Sequence, residues 1–130
     1  MTFQFSKFEG RNARFEDRIT VSRSNSIGFP TRFYADNNIG KFKYVVLYWD
    51  EKEKAIGILF TNDESEKSKF SIIRNEKYGG MISAKSFFNQ YKIDVGKYRN
   101  KYEWEKFNQE GAGELYVIRL REHIKKEGEI

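Results

Sequence analysis

Two stretches of this sequence, residues 18–61 and 69–120, run through the same succession of patterns, and that repetition limits the folds open to the chain more than any other feature. Self-similarity is the first thing to settle in a new sequence, because it decides whether one unit or two must be packed. The first stretch opens on Arg18-Ile-Thr-Val-Ser-Arg23, where apolar and polar residues alternate as in a half-buried strand. The second opens on Lys69-Phe-Ser-Ile-Ile-Arg74, of similar pattern and again closed by arginine. Next come Ile27 to Ile39 and Met81 to Ile93. Laid side by side without a gap, they place Phe33-Tyr34 on Phe87-Phe88 and Ile39 on Ile93. Each reads as a short helix. Pro30 suits the first helical position, where its missing N–H costs nothing. Ser83 is the expected N-cap of the second helix. A hairpin closes each stretch. Tyr44–Trp49 and Ala55–Phe60 flank the turn 50–54, and Tyr102–Phe107 and Glu114–Leu120 flank the turn 108–113.

The whole chain is 130 residues, enough for one domain that buries a core without staples. It is read as a single domain of two pseudo-repeat halves, 18–61 and 69–120. An aromatic and basic arm, residues 1–17, precedes them, and a charged tail, residues 121–130, follows. Between the halves, Thr61 to Ser68 reads as a solvated loop. The core has to be built largely from rings, because aromatics make up 17% of a chain with only 38% hydrophobic residues.

Several chemistries are excluded at once. There is no cysteine, so disulfides, thiolate nucleophiles and cysteine-ligated zinc are absent. The single histidine, His123, lies in the charged tail without an obvious partner. The carboxylates Asp50, Glu51 and Glu53, and Asp63, Glu64 and Glu66, sit in expected turns interleaved with lysine, as solvated loops do. Gly79-Gly80 and Gly111-Ala-Gly113 lack the residues that would make them phosphate-binding loops and read as turn glycines. No apolar run is long enough to span a bilayer, and the first residues lack a signal-peptide core. The expectation is a cytoplasmic protein that is not an enzyme, with no cofactor and no metal.

The net charge of +5 is unevenly spread. Residues 1–49 hold eight Lys/Arg against four Asp/Glu, residues 50–68 three against six, and residues 69–130 thirteen against nine. Two basic blocks thus flank an acidic connector, which points to an anionic partner such as nucleic acid. The candidate contacts are Arg18, Arg23 and Arg32 in the first half and Arg74 and Lys85 in the second. Arginine offers a bidentate fork to phosphate and to guanine edges. Arg11 and Arg14 could form a groove-entering arm. Lys41 and Lys43 flank Phe42, an interleaving that single-strand binders use for stacking bases.

The stretch Ser26 to Ile39 resembles the signature of the swapped-hairpin AbrB-like family: Ile27 and Phe29 in an apolar strand, Pro30 opening a short helix, Phe33 buried, and Asn38-Ile39 at the helix exit. The likeness covers Arg18 to Thr61 well. It covers Lys69 to Leu120 poorly, because Ala84 stands where the proline would be. Two such halves in one chain are similar to the MraZ branch. The resemblance implies a mainly β (α+β) fold, a swapped-hairpin barrel made from two β-β-α-β-β halves. It also implies double-stranded DNA binding by a transcription regulator, and it is compatible with a homo-oligomer. Family members often carry arginine at the position of Ser26, or after the buried helix residue where this chain has Tyr34 and Ala35, so those contacts do not transfer. The competing readings are a single-stranded DNA or RNA binder, and an antitoxin or protein-interaction module that does not bind DNA.

Overall fold

The computed structural model describes residues 2–7, 17–75 and 79–122. The first hairpin joins β1 (Ile19–Val21) to β2 (Ser26–Phe29). The helix α1 (Thr31–Asp36) follows, then a single 3-10 turn (Ile39–Lys41), and a second hairpin pairs β3 (Tyr44–Asp50) with β4 (Ala55–Thr61). Beyond the loop come β5 (Phe70–Ser71), β6 (Ile73–Asn75), β7 (Gly79–Ser83), α2 (Lys85–Gln90) and α3 (Val95–Tyr98). The chain then forms β8 (Asn100–Tyr102), β9 (Glu105–Gln109) and β10 (Gly113–Arg119).

Among the described residues the fold is mainly β and forms two antiparallel sheets, not a closed barrel. One has the strand order β6-β7-β2-β1-β8 and the other β5-β3-β4-β10-β9. Each sheet is built around a pairing between the two stretches. In the first, β2 lies against β7 with Ile27 opposite Ile82. In the second, β4 lies against β10 with Ile58 opposite Tyr116.

Period-two patterning explains which faces meet. Ile19, Val21, Ile27, Phe29 and Ile82 point inward from the first sheet, and Val45, Ile56, Ile58, Phe60 and Ile118 from the second; all join one buried cluster. Phe33 from α1 fills the space between the sheets. Its ring lies 5.1 Å from Tyr116 and 5.3 Å from Trp104, both edge-on, and 5.9 Å from Phe29. Much of the ring-rich composition is therefore spent in the interior.

The two longer helices, α1 and α2, end alike. Asn38 and Lys92 adopt the left-handed region, each at φ 54°, and each hands the chain to a buried isoleucine, Ile39 or Ile93. After α2 the turn is closed by the Ile93 N–H donating to the Phe88 carbonyl at 2.8 Å, in the manner of a Schellman cap.

Three local expectations are corrected. Pro30 is the N-cap of α1, one residue before the first helical position. Ser83 does not cap α2, because it stays in the β7 ladder opposite Ser26. Ala84 takes the N-cap position, and no side chain caps it. The expected strand Tyr102–Phe107 is broken at Glu103-Trp104, because the chain changes sheets there: β8 belongs to one sheet and β9 to the other.

Tyr102 fastens that crossing. Its buried hydroxyl lies within reach of the carbonyls of Tyr98 and Arg121, the latter at 3.0 Å, and accepts from the Arg121 N–H at 3.3 Å. Burial raises its pKa, opposed by the Arg121 contacts. Tyr102→Phe is expected to lower stability by about 1–3 kcal/mol, since buried carbonyls lose a donor while ring packing is kept. Urea unfolding monitored by circular dichroism checks this; an unchanged midpoint would mean the hydroxyl contributes nothing.

Candidate nucleic-acid interface

The strands of the first sheet also define a solvent-facing surface. Registers align one row straight across all five strands: Ile73 opposite Met81, Met81 opposite Gly28, Gly28 opposite Thr20, and Thr20 opposite Lys101. The smallest residues, Gly28 and Thr20, occupy the middle of the row and the longer side chains its ends. The result is a trough of about 400 Å³ running along the strands. Four interstrand steps separate its two edges, about 19 Å at the usual strand spacing.

Charge is placed at those edges. Arg18, Arg74 and Lys101 line the trough, with Ser22, Ser26 and Thr20 adding hydroxyls, and none of the described residues lining it is acidic. Arg74 sits at the β6 edge. It donates from Nη2 to the Phe42 carbonyl, and its guanidinium lies 5.8 Å over the Tyr34 ring. A guanidinium has five N–H donors, so that anchoring holds the group in place and leaves donors over. Burial raises the pKa of Tyr34, with the Arg74 charge opposing. At the other edge, Lys101 stands opposite Thr20, two residues along from Arg18, and the Arg121 guanidinium lies 5.4 Å over Tyr102.

At one end of the trough the β1–β2 turn gathers three hydroxyls. Ser22 Oγ lies 2.8 Å from Ser24 Oγ and 2.5 Å from Ser26 Oγ, and Ser24 and Ser26 are 3.2 Å apart. Exposed Arg23 is at the tip of this turn. The turn is tied to α2 by the Ala84 N–H donating to the Asn25 carbonyl at 2.8 Å, which brings the start of α2, and Lys85, beside it.

Other sequence candidates fall elsewhere. Arg32, on α1, donates from Nε to Asp36 at 2.9 Å. Lys41 lies 5.2 Å over the Phe42 ring. The Lys43 ammonium faces Glu64 at 3.9 Å, so part of its charge is offset by the acidic connector. That connector is a hydrogen-bonded turn, in which Ser65 holds the Asp63 carboxyl below the usual carboxylate range. Arg11, Arg14 and His123 lie outside the described residues. The structure thus brings Arg18 and Arg74 to one trough, and Arg23 and Lys85 to one end of it. Arg32 and Lys43 it pairs with carboxylates.

The sequence reading missed Lys101. It sat between the second helix and an expected strand starting at Tyr102. The alternation of Lys101 with buried Tyr102 was the signal that could have placed it on an outward strand position.

Trp49 and Trp104 are packed against the core, not displayed in the trough. Among the described residues, no three His, Cys, Asp or Glu side chains gather as a metal site, and no helix is long and apolar enough to cross a membrane. Compared with known proteins, the chain matches no family model, no curated protein and no solved structure.

Proposed function

We propose that this chain is a non-enzymatic binder of double-stranded DNA, an AbrB/MraZ-like regulator that works through the outer face of the sheet β6-β7-β2-β1-β8. The observation that carries the proposal is the trough with Arg18, Arg74 and Lys101 along it and no acidic residue among the described ones that line it. Cations at both edges meet phosphates, and hydroxyls between them supply neutral donors, the mixture with which proteins fix their register on a duplex. The two stretches contribute one hairpin each to either side of the β2–β7 pairing, which supports the finer reading of two interleaved swapped-hairpin halves. A single-strand mode is less favoured, because it needs rings displayed beside the cations, and the ring that lines the trough among the described residues, Phe29, is buried.

The test is a salt-titrated binding series on duplex probes. With about three phosphates neutralised, log K should fall against log salt with a slope near −2.7. Arg18→Ala, Arg74→Ala and Lys101→Ala should each weaken binding by about tenfold, roughly 1.4 kcal/mol, and flatten the slope by about one. Lys52→Ala, in the acidic turn, should change neither. Wild-type affinity in the triple variant would refute the site. Preference for oligo(dT) over duplex would transfer the function to single strands, and no binding at low salt would leave only the interaction-module reading.

A further inference from the structure

The second sheet is apolar on both sides. Its inward residues fill the core, yet its outward positions include Tyr48, Gly57, Leu115, Val117 and Phe107. These form a groove of about 710 Å³ that is open to solvent, with the Phe107 ring 56% exposed. Asp50, Glu51, Glu53 and Glu105 stand around it. Arg119 binds Glu53 and Glu105, at 3.2 and 3.1 Å, and Lys54 pairs with Glu51; among the described residues that line the groove, four carboxylates face one cation, Arg119.

Elsewhere on the molecule is a segment of matching chemistry. Residues 2–7, Thr-Phe-Gln-Phe-Ser-Lys, alternate ring and polar residue as a strand does. Phe3 is 70% and Phe5 90% exposed, and the two rings stack at 5.5 Å on one side of the segment. Lys7 is its one charge. Two exposed phenylalanines outside the described strands are a surface that solvation opposes, since each ring can bury about 150–250 Å².

We propose that the outer groove of the sheet β5-β3-β4-β10-β9 receives the Phe3–Lys7 arm of a second copy of this chain. Phe3 and Phe5 bury against Tyr48, Leu115, Val117 and Phe107, and Lys7 meets the carboxylate rim. Charge decides between this and the simpler pairing of two such faces, which would oppose acidic rim to acidic rim. The arm and the groove are separate surfaces, so the contact is heterologous: one copy gives and the other receives. This interface lies across the core from the trough assigned to DNA, and it stands whether or not that assignment does.

The experiment is a complementation test by sedimentation velocity on the full chain. Wild-type protein should associate reversibly from its 15.5 kDa monomer to twice that mass or more. The arm variant Phe3→Ser/Phe5→Ser and the groove variant Val117→Arg should each remain monomeric when alone. Mixed in equal amounts, they should form a one-to-one complex, because one still has its groove and the other its arm. Phe107→Lys, at an exposed edge position, serves as the groove variant if Val117→Arg fails to give the wild-type circular dichroism spectrum. A monomeric wild type overturns the proposal and leaves the arm to its own chain or to solvent. Undiminished association of the arm variant overturns it in favour of a different interface, and so does a mixture that stays monomeric.

Discussion

Phe33→Ala is expected to cost about 3–5 kcal/mol of stability, the range for removing a fully buried phenylalanine. The reason is where the ring sits. It is fully buried and meets Phe29, Phe60, Trp104 and Tyr116 at once, so truncation removes one side from four ring contacts. The partners come from both sheets and cannot close on the void without moving one sheet toward the other. For a domain of this size the loss corresponds to a drop in melting temperature of roughly 10–20 °C. Thermal and urea unfolding would measure it, and Trp104 fluorescence should lose its native signature in the same transition. A cost below about 1 kcal/mol would mean that the sheets close freely on the space the ring leaves.

Gly79→Ala should be nearly as damaging, for a different reason. Gly79 has φ 95°, a region L side chains avoid. A Cβ there would also stand 2.2 Å from the Phe29 carbonyl oxygen and 2.8 Å from the Pro30 carbonyl carbon. Both are backbone atoms at the end of β2 and the entry to α1, so the clash cannot be relieved by turning a side chain. A loss of at least about 2 kcal/mol is expected. Because β7 carries Met81 and Gly80 into the trough, a folded fraction of the variant should also bind duplex DNA more weakly. Gly28→Ala is the control. It lies on the neighbouring strand, where a Cβ would meet nothing closer than Thr20 Cβ at 3.8 Å, and it should leave stability within about 0.5 kcal/mol of wild type. Equal losses at the two glycines would show that close backbone approach is not what requires Gly79.

Local patterning carried much of the fold. Apolar patterning located β1, β3, β4 and β10, the family resemblance placed a strand at β2, and the Phe-rich segments after Pro30 and Ala84 are the two longer helices; β7 is the correction, since Gly79-Gly80 read as turn glycines and lie in its ladder. Reading failed where the chain changes layer. Glu103-Trp104 continues the alternation of a strand, so nothing local marks the crossing from one sheet to the other. Trp104 is placed there by long-range contacts, its indole N–H donating to the Asp17 carbonyl at 3.0 Å and its ring meeting Phe33. Ser83 failed as a cap for a similar reason, because its position was already committed to pairing with Ser26.

The candidate interface divides along the same line. That basic residues lie in two blocks either side of an acidic connector is a property of composition, visible without any coordinates. Which of them share a surface is not. Arg18 and Arg74 are 56 positions apart, and only the antiparallel pairing of β2 with β7 sets their strands in one sheet. Arg32 and Lys43 come from the same basic block, yet they lie outside the trough, beside Asp36 and Glu64. By itself, the sequence determined the mainly β character, the aromatic interior and the absence of thiol chemistry, because period, volume and residue type act locally. The tertiary structure alone decided the two-sheet architecture, the trough and the apolar groove on the far side. Strand register is a long-range choice, and a shift of one residue would turn every one of those side chains to the opposite face.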